Sequence, residues 1–157
     1  MTTQEPRSAA HRKADTLAKL AAKAADIWVA SASVTDAGAA QAYLVPLSLA
    51  WVDERIVLAL EDTSQTARNV SAAGKARLAL GPTRDVVMID AELEHSHPVG
   101  QVPARIAEAY AAQSDWDPRE AGAGYLFLVF RPLRIQAWRE VNELRDRTLM
   151  RGGAWLA

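Results

Sequence analysis

The chain has 157 residues, 18 basic and 19 acidic side chains, and 50% hydrophobic residues, which suits one domain around one core. The formal net charge of −1, with no basic run, excludes a general nucleic-acid binder, and the absence of cysteine excludes disulfides, thiolate catalysis and Cys-ligated zinc. No apolar stretch is long enough to cross a membrane, and the first residues carry Glu5, Arg7, Arg12, Lys13 and Asp15 where a secretory signal needs an apolar core, so the expected compartment is the cytoplasm.

Residues 1–12 read as a flexible polar tail with Pro6 inside it, and residues 13–157 as a single domain. An alanine-rich helix is expected over 13–25. Leu17, Leu20, Ala21, Ala24 and Trp28 follow the spacing of one buried stripe. Residues 27–34 (IWVASASV) alternate large with small and read as a strand, closed by the turn Thr35-Asp36-Ala37-Gly38. A second strand runs over 41–51 (QAYLVPLSLAW), with Pro46 marking an edge or bulge. After a turn at 52–54, a third strand covers 55–60.

A short helix over 65–73 has Thr63 or Ser64 as its natural N-cap and Gly74 where a C-terminal glycine belongs. Strands are expected over 75–80 and 84–94, separated by Gly81-Pro82-Thr83. A helix over 102–113 should cover an opening of the barrel. A long strand spans 125–138, and residues 147–156 suggest a hairpin around Gly152-Gly153. Tight turns join consecutive strands, so the sheet should be antiparallel.

Chemistry concentrates at residues 62–80. The first turn of a helix presents unpaired N–H groups and a positive dipole end, which favour phosphate. Thr63, Ser64 and Thr66 add hydroxyls, and Arg68 adds a forked cation, with Asn69 close by. Trp138-Arg139 offers a ring for stacking and a guanidinium for an anion, with Arg84 as an alternative cation. His95 and His97 have the i, i+2 spacing of ligands on a strand, but no third ligand is near, so an exposed loop is the expected reading and no metal is assigned. Trp28, Trp51 and Trp116 read as core or interface anchors. Asp85 and Asp90 read as surface ion pairs. No Ser-His-Asp or paired-carboxylate arrangement is visible, so no catalytic residue is assigned.

The stretch T-S-Q-T-A-R-N-V-S-A-A-G-K-A-R-L-A-L (63–80) resembles the phosphate-binding turn, helix and strand of the pyridoxamine 5'-phosphate oxidase-like, or flavin/deazaflavin oxidoreductase, superfamily. Y-L-V-P-L-S-L-A-W (43–51) resembles the strand whose backbone runs beside the flavin ring. G-P-T-R-D-V-V-M-I-D (81–90), S-D-W (114–116), P-L-R-I-Q-A-W-R (132–139) and R-T-L-M-R-G-G-A-W-L (147–156) resemble later family segments, in the right order.

The resemblance implies a mainly β fold, a split antiparallel β-barrel. It implies an FMN-dependent oxidoreductase transferring two electrons to or from a small substrate, with 8-hydroxy-5-deazaflavin as the alternative coenzyme. The implied partner is a second copy of the chain, in a homodimer with two interface sites. The phosphate would lie on Thr63, Ser64, Thr66, Arg68 and Asn69, and the ring along Val45, Pro46, Leu47 and Ser48. Trp138 and Arg139 of the other subunit would form the far wall, with Arg84 in reserve. Members that hold phosphate strongly often carry Lys or Arg at the place of Thr66, and the segments that bind the vitamin substrate in true pyridoxamine-phosphate oxidases are missing. A non-catalytic flavin or planar-ligand carrier is therefore the rival reading, and an enzyme acting on haem or another planar ligand is a third.

Overall fold

A computed structural model describes residues 4–157. The chain order is α1 (Ala9–Ala21), β1 (Asp26–Val34), β2 (Ala40–Ser48), β3 (Ala50–Val52), β4 (Arg55–Glu61), α2 (Gln65–Ala73), β5 (Lys75–Leu80), β6 (Val86–Pro98), α3 (Ala104–Ser114), β7 (Tyr125–Trp138), β8 (Thr148–Arg151) and β9 (Ala154–Trp155). The strands form one antiparallel sheet in the order β2-β1-β5-β6-β7-β4-β3, with β8 on β7 and β9 on β8. β2 at one end also approaches β4 near the other, so the sheet curls towards closure. This is the mainly β, split-barrel architecture that the resemblance implies, with the antiparallel sheet that the strand patterning implies.

The curl creates two apolar layers. Inside the barrel lie Ile27, Val29, Ile56, Leu58, Leu78, Ile89, Phe130 and Ile135, all essentially inaccessible. On the other side of β4 and β7, Val57, Ala59, Phe127 and Val129 pack with Tyr110 of α3. β4 is therefore buried on both faces, which explains its unbroken apolar run, Ile56 to Leu60. Each fully buried side chain of this size contributes about 1.5–3 kcal/mol. Tyr110 meets Phe127 and Trp116 edge-on, with centroids 5.5 and 6.0 Å away, a favoured aromatic geometry. Burial pushes its phenol up to about 12.

Local signals worked where they were strong. Ser64 caps α2 by accepting from the Ala67 N–H at 3.2 Å, and Gly74 closes it at φ 71° while donating to Val70 O. Gly152 and Gly153 make the β8–β9 turn at φ 58° and 80°.

Four expectations need correction. The first helix runs over Ala9–Ala21 rather than 13–25, capped by Ser8. Its buried stripe is Arg12, Thr16 and Leu20, whereas Trp28 lies on β1 and is 49% exposed. The strand expected over 41–51 breaks at Leu49, whose N–H turns to Ala25 O. The fifth strand starts at Val86 and continues to Pro98, because Arg84 and Asp85 belong to a turn in which the Asp85 N–H donates to Pro82 O. His95 and His97 are consequently on a strand and not in a loop.

The fourth correction concerns the N-terminal tail. From Gln4 onward the segment is tied down; residues 1–3 fall outside the described residues. Arg7 is buried and forms a two-pronged pair with Glu143, Nε to Oε1 at 3.0 Å and Nη2 to Oε2 at 2.7 Å. The N–H groups of Arg7 and Arg139 also donate to that carboxylate. The other prong of Arg7 meets Asp15 at 2.8 Å and Asp85 at 3.2 Å, and Asp85 also pairs with Lys19 at 2.9 Å and Arg139 at 3.2 Å. The Arg7 guanidinium holds the Glu143 carboxyl down at about 2, against the opposing effect of burial. Burial alone would raise Asp85, but Lys19, Arg139 and Arg7 together hold it below the ordinary carboxylate range.

Candidate functional site

A cavity of about 600 Å³ opens between the start of α2 and the exposed ends of β1 and β2, lined by Ser33, Gln41, Ala42, Tyr43, Gln65 and Asn69. β1 and β2 place Ser33 and Gln41 in register opposite each other, and α2 supplies the other wall through residues one turn apart. The first intrahelical bond of α2 runs from the Arg68 N–H to Ser64 O at 3.1 Å. The N–H groups of Gln65 and Thr66 precede it and have no partner within the helix. They form the anion-attracting end.

A hydrogen-bonded chain orders the wall. Arg68 Nη2 donates to Gln65 Oε1 (3.0 Å), Gln65 Nε2 to Asn69 Oδ1 (2.7 Å), and Asn69 Nδ2 to Ser31 Oγ on β1 (3.1 Å). Asn69 is only 3% exposed, so its amide is fixed by this chain. The other Arg68 Nη bonds back to Thr63 O. The guanidinium thus braces the helix start, and because both acceptors are neutral its charge adds to the positive potential there. Glu61 and Asp62 precede this turn and are exposed, which weakens the local field.

β2 supplies a different kind of surface. Pro46 pairs with Trp28 in a regular antiparallel register. Proline has no N–H, so this is a non-hydrogen-bonded pair, and by alternation Leu44, Pro46 and Ser48 turn their main-chain groups away from β1. Leu44 and Pro46 are exposed, whereas Val45 and Leu47 lean on the barrel core. A flat ligand can lie along that free edge.

Thr63, Ser64, Thr66, Arg68 and Asn69 lie together at the start of α2, but the β2 residues that line the cavity with α2 are Gln41, Ala42 and Tyr43 and not the segment Val45 to Ser48. Thr66 is 2% exposed, so its side chain belongs to the packing of α2. Trp138, Arg139 and Arg84 are elsewhere. Trp138 pairs with Val86 and lies under Arg147, 5.3 Å from its ring. Arg139 is held by Asp85, and Arg84 by Glu140 at 2.6 Å. Within the chain none of the three is among the residues lining the cavity. Sequence reasoning missed Ser31, Ser33, Gln41, Tyr43 and Gln65. The alternation of β1 placed Ser31 and Ser33 on the inward side, which was the one available signal.

The sheet's outer face carries a second feature. Trp28, Ala30, Leu44, Arg77, Ala79 and Met88 line a shallow apolar trough of about 540 Å³. Trp28 and Leu44 are 49% and 59% exposed.

The sequence matches no protein-family model and no curated protein. Solved structures do match. An F420 reductase superposes with a TM-score of 0.55 at 17% identity over 75% of this chain and 94% of its own. A protein from Listeria innocua assigned as a pyridoxamine 5'-phosphate oxidase gives 0.52 at 12% identity, over 74% and 88%. An FMN-binding protein from Syntrophomonas wolfei subsp. wolfei gives 0.52 at 16% identity, over 71% and 75%. Identities this low speak for the backbone arrangement and not for the activity. The chain has the split β-barrel fold of the pyridoxamine 5'-phosphate oxidase-like proteins.

Proposed function

We propose that this chain is a flavin-dependent oxidoreductase of the cytoplasm that binds FMN in the cavity at the start of α2 and passes two electrons to or from a small substrate. The observation that carries the reading is the junction of that cavity with the free edge of β2: an anion-attracting helix start beside amide and hydroxyl groups, continuing into exposed main chain. These residues fit FMN. The N–H groups of Gln65 and Thr66, with the hydroxyls of Thr63 and Ser64, would take the phosphate. Gln65, Asn69, Ser33 and Gln41 would meet the polyol, and the main chain of Leu44 to Ser48 would run beside the ring. The bound cofactor supplies the hydride chemistry, while the protein provides position and electrostatics. A second copy would supply the far wall; Trp138 and Arg139 remain candidates for it only from that partner, since each is engaged elsewhere in its own protomer.

Fluorescence titration with FMN and with 8-hydroxy-5-deazaflavin tests the reading. Asn69→Leu should weaken the preferred cofactor by about 1–3 kcal/mol, through lost hydrogen bonds and a broken chain to Ser31. Gln65→Leu should weaken it on the same scale, because the chain from Arg68 to Asn69 runs through the Gln65 amide. Thr66→Lys would force an ammonium into the packing of α2, where Thr66 is 2% exposed. Failure of both cofactors to bind would end the proposal. Binding without any turnover would leave a planar-ligand carrier.

A further inference from the structure

The far end of β6 carries a feature that the flavin reading does not use. Between Leu93, opposite Phe130, and His95, opposite Val129, the ladder slips by one residue, and Glu94 is the extra one. Such a bulge re-aims side chains and locally raises the twist. Its result here is that Glu94 Oε1 reaches to 3.6 Å from Nε2 of its own neighbour, His95. Beyond the bulge the register is regular, so His95 and His97 project from the same face. Their rings stack, with centroids 5.6 Å apart and planes 24° from parallel. The Glu94 carboxylate is meanwhile fixed by Arg55, at 3.1 and 3.3 Å.

We propose that His95 and His97 chelate a divalent transition-metal cation of the zinc, copper or nickel class, with the Glu94 carboxylate beside them already paired with Arg55 and not a ligand. Imidazole nitrogens suit these ions, and two on alternate residues of one strand face need only side-chain rotation to converge. His95 and Glu94 lie at the rim of a cleft of about 260 Å³ between the β3–β4 turn and α3, which leaves room for water on the remaining coordination positions. Among the described residues no three His, Cys, Asp or Glu side chains already converge on one point. The site is therefore a two-imidazole chelate rather than a closed structural cage, and its cation exchanges with solvent. The proposal stands independently of FMN.

The test is calorimetric titration of the untagged full chain with Zn2+ and Ni2+, with Cu2+ electron paramagnetic resonance as the readout of ligand number. Wild type should bind one equivalent, and the copper spectrum should show two nitrogen ligands. His95→Gln and His97→Gln should each lower affinity by about tenfold or more, a scale on which even indirect partners of metal ligands act, and each should reduce the spectrum to one nitrogen. Thermal unfolding of the metal-free variants checks that their fold is kept. Glu94→Gln should preserve both nitrogens and weaken binding less. Metal affinity unchanged in the double His variant, or a wild-type spectrum with one nitrogen or none, overturns the proposal.

Discussion

Glu143→Ala should lower the unfolding free energy by about 1–3 kcal/mol, the cost of leaving buried donors without their acceptor while Arg7 keeps Asp15 and Asp85 as counter-charges. Three groups lose their acceptor at once: the Arg7 fork, the Arg7 N–H and the Arg139 N–H. Arg7 is 8% exposed and cannot turn to water without displacing its surroundings. Urea unfolding at neutral pH measures the effect, as a lower midpoint at unchanged slope. Replacing both partners, as Arg7→Met with Glu143→Leu, should recover only the part due to the guanidinium, because the main-chain N–H groups at positions 7 and 139 still lack their acceptor. A loss below about 1 kcal/mol in Glu143→Ala would mean that the pair is not buried in solution. The same carboxylate sets an acid limit. Its folded value of about 2 lies below its ordinary 4.5. Its contribution is therefore fully present above pH 4.5 and fades as the pH falls towards 2, and Asp85 shifts in the same direction.

The second large effect is expected in assembly. Alternate residues of β1 face outwards, and cross-strand pairing sets Trp28 beside Pro46 and Ala79, and Ala30 beside Leu44. The resulting apolar face, with Met88 next to Ala79, is the face on which the second copy proposed above would pack. Trp28→Asp with Leu44→Asp should convert a dimer into a monomer. Large anchors cost at least about 2 kcal/mol each when lost, so the pair should weaken dimerisation roughly a thousandfold, and more because each residue counts twice across a two-fold axis. Light scattering at micromolar concentration decides. A wild-type monomer, or a double variant that stays dimeric, would remove this face from the proposed dimer.

The fold was legible because its determinants are local and periodic. The alternation of Ile27, Val29 and their neighbours, the Ser64 cap, and the glycines at 74, 152 and 153 each state a geometry within a few residues. What misled was chemistry that looks polar and solvated in sequence but is satisfied across the chain. Arg7 reads as part of a loose tail until Glu143 is known to lie beside it. Arg139 reads as a free cation until Asp85 claims it. The helix start at Ser64 and Thr66 was visible from propensity, yet Ser33, Gln41 and Gln65 become neighbours only when β1, β2 and α2 meet. The His95-x-His97 spacing was visible too. The bulge at Glu94 was not, since nothing in the residue types from Leu93 to His97 marks a slipped ladder.

The clasp between the chain's two ends also bears on time. Arg7 and Glu143 are 136 residues apart, Gln4 and Asn142 are 138 apart, and Lys13 reaches Ala157 O across 144. Closing loops of that length is entropically costly before the rest of the chain has condensed. These contacts should therefore form after the rate-limiting barrier and be among the first to open. A late-forming lock leaves the speed of folding almost untouched while lengthening the life of the folded state. Loosening it would shorten the time the barrel stays shut rather than slow its formation.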